Sequence, residues 1–142
     1  MSGQLQIAAL TILGGVAVFV LGQIFLKFVI EPLQQYKEVK GEVSYALHYY
    51  ANAGGPPGFA KEEERKEASE HLRGLASKLR VCRHKIPWYR LFAILGIVPK
   101  VEALLTASEH LTGWSNEVYG EGRTISKRRR IIAECLGIED VH

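Results

Sequence analysis

IAALTILGGVAVFVLGQIFLKFVI, residues 7–30, carries a single charged side chain, Lys27, in 24 positions. As a helix it would reach about 36 Å, enough to cross a hydrocarbon core of about 30 Å with some tilt. Lys27 lies near one end, so its ammonium can snorkel to the headgroups instead of sitting at the costly midplane. A cleaved signal peptide would need a basic region before the apolar run and small residues at a cleavage site. Residues 1–6 have no charged side chain, and Phe28, Val29 and Ile30 are bulky. The expectation is an uncleaved anchor over 7–30, with 1–6 as a short extracytoplasmic terminus.

Charge sets the expected orientation. Nothing basic precedes the segment, whereas Lys27, Lys37 and Lys40 lie at or soon after its end. The positive-inside rule then places residues 31–142 in the cytoplasm of a cell membrane, on the pattern of short single-span proteins of the bacterial inner membrane. Cys82 and Cys135, 53 positions apart and without ligand spacing, are expected to be free thiols of a reducing compartment.

Inside the segment Ala8, Gly15 and Gly22 recur every seven residues, on nearly one helix face. Small residues let a second helix approach, and the amide of Gln23 beside them would favour an interhelical hydrogen bond worth about 0.6–2 kcal/mol. These four residues are the candidates for self-association or contact with a membrane-protein partner. Glycine is also common in spanning helices for no such reason.

Beyond the anchor every strong periodicity is helical, and the expected fold is all-α: one spanning helix followed by a small cytoplasmic bundle. Glu31-Pro32 predicts a kink or helix boundary. Leu33, Tyr36, Val39, Val43, Ala46, Leu47 and Tyr50 then mark one helix, ended by the glycines and prolines of a loop near 51–60. Over 61–86, Ala68, Leu72, Leu75, Leu79, Cys82 and Ile86 form a heptad-like stripe, with acids at the start and bases at the end that suit the helix dipole. Pro99 is expected to open the next helix, whose stripe is Val101, Leu104, Leu105, Leu111, Trp114 and Val118. After a loop near 120–125, Ser126 is expected to cap a last helix that ends at Gly137, with Ile138 packing back.

The stretch IPWYRLFAILGIVPK, residues 86–100, is the ambiguous one. Eleven residues between Pro87 and Pro99 cover about 16–17 Å as a helix, too little to span. A short helix over 88–95 and a turn near 96–99 are expected. Leu91, Phe92, Ile94, Leu95, Ile97 and Val98 could fill the core between the flanking amphipathic helices, the favoured reading. The other reading lays the segment in the membrane interface, with Trp88 and Tyr89 at headgroup level and Arg83, Lys85 and Arg90 meeting anionic lipid.

The net charge of +3 hides a block pattern. From Arg73 to Lys100 there are seven basic residues and no acid, and Lys127, Arg128, Arg129 and Arg130 form a second cluster. Such blocks favour anionic lipid or an acidic partner. The string IAECLGI resembles the opening helix of helix-turn-helix domains, but only four residues follow Ile138, so no recognition helix is expected and nucleic-acid binding is set aside.

No metal signature, nucleophile motif or phosphate loop occurs, and neither a cofactor nor a catalytic residue is assigned. Glu67 and His71 share a helix face, read as a solvated pair. The expected function is interaction, as a small membrane-anchored adaptor or accessory subunit that self-associates. A membrane-perturbing effector is the alternative. An enzyme comes third and would need His48, Glu67 or His71 to converge in a cleft.

Overall fold

The computed structural model describes residues 2–52 and 60–139. These residues contain helices and no strand. The loop expected near 51–60 lies, over 53–59, outside the described residues.

The first helical rod runs from Ser2 to Tyr49 without a break. It consists of α1 (Ser2–Phe25), a π-helical turn (Leu26–Ile30) and α2 (Glu31–Tyr49). No residue of α1 is buried, and the rod is long and apolar enough to cross a membrane. The boundary expected at Pro32 takes the form of the π turn. Proline cannot donate to the carbonyl four residues back, and its ring presses on that carbonyl. Widening the preceding turn, with the Glu31 N–H bonded to the Leu26 carbonyl, lets the rod continue. Glu31 thus stays in the right-handed helical region although it precedes a proline.

α2 then joins a bundle with α3 (Glu62–Lys85), α5 (Val101–Glu117) and α6 (Ile125–Leu136), while the six-residue α4 (Tyr89–Ile94) interrupts the path from α3 to α5. The α3 stripe is buried throughout, from Ala68 to Ile86, and it meets Tyr36, Val39, Val43, Ala46 and Leu47 of α2. From α5, Leu104, Ala107, Leu111, Trp114 and Val118 complete the core, with Ile132, Ala133 and Leu136 of α6 behind them.

Polar pairs fix the register of this packing. Arg73 Nη2 donates to Asn116 Oδ1 at 2.7 Å, and Arg80 Nε donates to Ser108 Oγ at 2.8 Å. As one number rises the other falls, so α3 and α5 run antiparallel, a heptad separating the two arginines. Ser108, fully buried, donates its own hydroxyl hydrogen bond to the Ala76 carbonyl at 3.0 Å. On the opposite side of α3, Lys78 pairs with Glu42 at 2.7 Å and Lys85 donates to Gln35 at 3.3 Å, again antiparallel. Arg129 of α6 donates to the Leu47 carbonyl at 2.7 Å, satisfying a group that the end of α2 leaves open.

Two helix starts differ from expectation. α5 begins at Val101 after Lys100, so Pro99 lies outside the helix. α6 is preceded by Thr124 instead of Ser126, and the Thr124 hydroxyl turns away to Glu117 at 2.6 Å. The end of α6 matches the sequence: Gly137 is left-handed at φ 61°, and the Ile138 N–H returns to the Ala133 carbonyl at 2.9 Å.

Candidate membrane interface

Segment 86–100 leaves the end of α3, turns through α4 and returns to α5 within one bundle. Cys82 before it is in the core, and Cys135 packs against that core from α6. α4 covers only about 9 Å, so the segment makes an excursion from the bundle and does not span.

The segment is two-faced. Ile86, Tyr89 and Val98 are buried, with Phe92 and Ala93 partly so. Trp88, Leu91, Ile94, Leu95 and Ile97 are exposed, Ile94 at 82%. The favoured core reading therefore fails for Leu91, Ile94, Leu95 and Ile97, because a helix this short has only one face to turn inward. Tyr89 corrects the interfacial reading in the opposite sense. It is 7% exposed, and its hydroxyl donates to the Pro99 carbonyl at 2.7 Å, closing the base of the excursion. Burial and the neighbouring Cys82 push this hydroxyl up to about 12, against the opposing charge of Arg83.

Closure of that base forces a special conformation on its neighbour. With Ile86 and Tyr89 both turned inward, Trp88 takes a left-handed backbone at φ 50° and ψ 39°, and the residue is 73% exposed. An L-residue there costs about 1–2 kcal/mol. A bulky aromatic held in that region and facing solvent is a departure that points to function.

The excursion lies beside the rod near the end of the apolar segment. Tyr89 and Cys82 are electrostatic neighbours of the buried Tyr36, whose hydroxyl is pushed up first by burial and then by them. Lys85 reaches Gln35, five residues past Ile30, or about 7–8 Å along the helix.

The basic block separates into two groups. Arg73, Lys78, Arg80 and Lys85 have partners on α5 or α2. Arg83, Arg90 and Lys100 are exposed, and none makes a side-chain hydrogen bond or ion pair to another described residue. All three line a pair of adjoining grooves at the base of α4. Arg83, Trp88, Arg90 and Leu91 bound the larger one, of about 710 Å³, and Lys100, Ile94 and Glu102 border the smaller, of about 360 Å³.

The second basic cluster is also divided. Arg128 Nε pairs with Glu117 at 2.7 Å, Arg128 Nη1 lies 3.3 Å from His110 Nδ1, and Arg129 serves the end of α2. Lys127 and Arg130 are exposed. Along the rod, Ala8, Gly15, Gly22 and Gln23 are all exposed, and a Cβ added at Gly15 or Gly22 would meet nothing of its own chain within 4 Å.

The third reading finds little geometric help. Glu67 and His71 border a shallow groove with Glu42, Glu70 and Lys78, but His48 is not part of its wall. Its Nδ1 lies 2.8 Å from the Ser44 carbonyl on its own helix. The aromatic neighbour of His71 is Tyr50, at 5.6 Å between ring centres.

What the geometry defines is a class: a helical bundle continuous with a long apolar helix, carrying a raised apolar segment flanked by unpaired cations. No family model matches the chain, and no curated protein or solved structure is significantly similar to it.

Proposed function

We propose that this chain is a single-span, membrane-anchored interaction protein whose cytoplasmic bundle docks on the bilayer face through segment 88–97. In this reading it serves as an adaptor or accessory subunit and self-associates through its anchor. The observation that carries the reading is the exposed Trp88, Leu91, Ile94, Leu95 and Ile97, raised beside the first turns of α2 after the apolar segment. The polar interfacial layer is about 5–7 Å deep on each side of the hydrocarbon core, comparable to the 7–8 Å between Ile30 and Gln35. A segment held at that height can insert apolar side chains while its cations stay at headgroup level. The anchor raises the local concentration of membrane, so a small apolar contact suffices.

The test is quenching of Trp88 fluorescence by brominated acyl chains in neutral phosphatidylcholine vesicles carrying the full chain. Trp114 is fully buried, and Trp88→Phe supplies its background. Quenching of the Trp88 signal is expected. A signal indifferent to bromination removes the docking reading. Sidedness is tested separately by thiol labelling of Cys135 in intact and permeabilised cells, with a denatured control for the more buried Cys82.

A further inference from the structure

We infer that Arg83, Arg90 and Lys100 form a headgroup site for an anionic phospholipid, such as phosphatidylglycerol, in the grooves at the base of α4. The inference rests on the docking reading above and adds a ligand to it. Of seven bases in an acid-free stretch, four are committed to α2 or α5, and the three that remain all border these adjoining grooves. They come from three separate elements: the last turn of α3, α4 itself, and the residue before α5. Sequence neighbours alone would not assemble them; the Tyr89–Pro99 hydrogen bond, which draws the two ends of the excursion together, does.

Three cations with Glu102 as the one carboxylate on the groove walls leave a net positive pocket. A phosphodiester oxygen can accept charge-assisted hydrogen bonds from two guanidinium groups and an ammonium. The apolar rim decides the source of the phosphate. Trp88, Leu91 and Ile94 stand on the walls, exposed, and a soluble phosphate would leave them in water. A lipid covers them with its acyl chains while its headgroup meets the cations.

The test uses the full chain in vesicles where either the phosphatidylcholine or an equal mole fraction of phosphatidylglycerol carries bromine. Trp88 quenching should be at least twofold greater from brominated phosphatidylglycerol. That preference should vanish in Arg83→Gln/Arg90→Gln/Lys100→Gln and persist in Lys127→Gln/Arg130→Gln, which removes charge elsewhere. Equal quenching by the two lipids overturns the headgroup site and leaves docking intact. A preference that survives the triple substitution also overturns it, because general surface charge then accounts for the enrichment. Absence of quenching by either lipid overturns both. Circular dichroism of each variant establishes that the helices are retained, and a triple variant that loses them is replaced by Arg83→Lys/Arg90→Lys, expected to weaken the preference, with no change overturning the site.

Discussion

The guanidinium of Arg128, on α6, lies directly across Gly113, on α5. A methyl group at Gly113 would overlap its Cζ and Nη1, so the absence of a side chain is what lets Arg128 reach Glu117 on the same helix. Gly113→Ala should therefore displace the Arg128 guanidinium and break this ion pair, a loss of up to about 1 kcal/mol that offsets the gain of about 0.5–1 kcal/mol from alanine's better helix propensity and leaves stability nearly unchanged. Gly74→Ala on α3 is the contrast, since nothing stands within 4 Å of the added group. It should stabilise by about 0.5–1 kcal/mol. Denaturant unfolding in detergent should shift to higher denaturant for Gly74→Ala and show no such gain for Gly113→Ala; an equal gain in both would mean that the Arg128–Glu117 pair contributes nothing.

The same contact predicts acid sensitivity. Burial pushes Glu117 up, but hydrogen bonds from Thr124 and Arg128 and the charge of Arg128 outweigh it and hold the carboxyl below its ordinary 4.5. A depressed carboxyl contributes stability above its unfolded value, and that stability is lost as pH falls through the folded one. Glu117→Gln should be less stable than the parent at pH 7. The gap should narrow below about pH 4.5, as melting curves taken down the pH scale would record.

Tyr89 predicts the alkaline side. Its hydroxyl is raised from 10 to about 12, so its contribution is complete below pH 10 and is lost as pH rises toward 12. Tyr89→Phe removes the bond to Pro99 and should cost about 1 kcal/mol at pH 7. Its stability should then fall less steeply between pH 10 and 12, with Tyr36, Tyr50 and the two cysteines, all raised chiefly by burial, contributing to the alkaline slope that remains.

These contacts mark how far sequence reading reaches. The α3 stripe is legible because a 3–4 spacing of apolar residues can be buried only by one helix face, and all six of its residues are inside. The division of 86–100 is not legible. Hydropathy says that Leu91 and Ile94 should leave water, and it does not say whether protein or lipid receives them. The basic block misleads for a related reason. Arg73 and Arg80 meet Asn116 and Ser108 only once α3 and α5 lie antiparallel; the seven-residue spacing shared by Arg73/Arg80 and Ser108/Ser115 was the available signal, since Arg73 also reaches Ser115. At Pro32 a local preference is overridden by a π turn, a solution no propensity scale contains.

The apolar helix α1 carries a prediction separable from the bundle. Gly15 and Gly22 touch nothing of their own chain, so Gly15→Leu with Gly22→Leu should leave the monomer's helicity and unfolding unchanged. If the stripe joins copies, the double substitution blocks close approach and the crosslinked oligomer ladder in membranes should collapse to monomer. A ladder identical to the parent's sinks the stripe.

Trp88 should display a conflict between stability and docking. Its left-handed backbone costs about 1–2 kcal/mol with any L side chain other than asparagine or aspartate, and glycine removes that cost. Glycine also has about 0.5–1 kcal/mol more chain entropy to lose on folding. Because Trp88 is 73% exposed, little packing is lost with its side chain. Trp88→Gly should therefore unfold at equal or higher denaturant than the parent in detergent, by up to about 1 kcal/mol. Trp88→Ala keeps the strained backbone and should show no such gain. Both remove the ring that the docking reading places in the interface, so on that reading amide hydrogen exchange over residues 89–98 in vesicles should be faster than in the parent. If the two variants exchange like the parent, Trp88 does not hold the segment on the bilayer. If Trp88→Gly is the less stable of the two in detergent, the left-handed backbone stores no strain, and the exposed indole needs another cause.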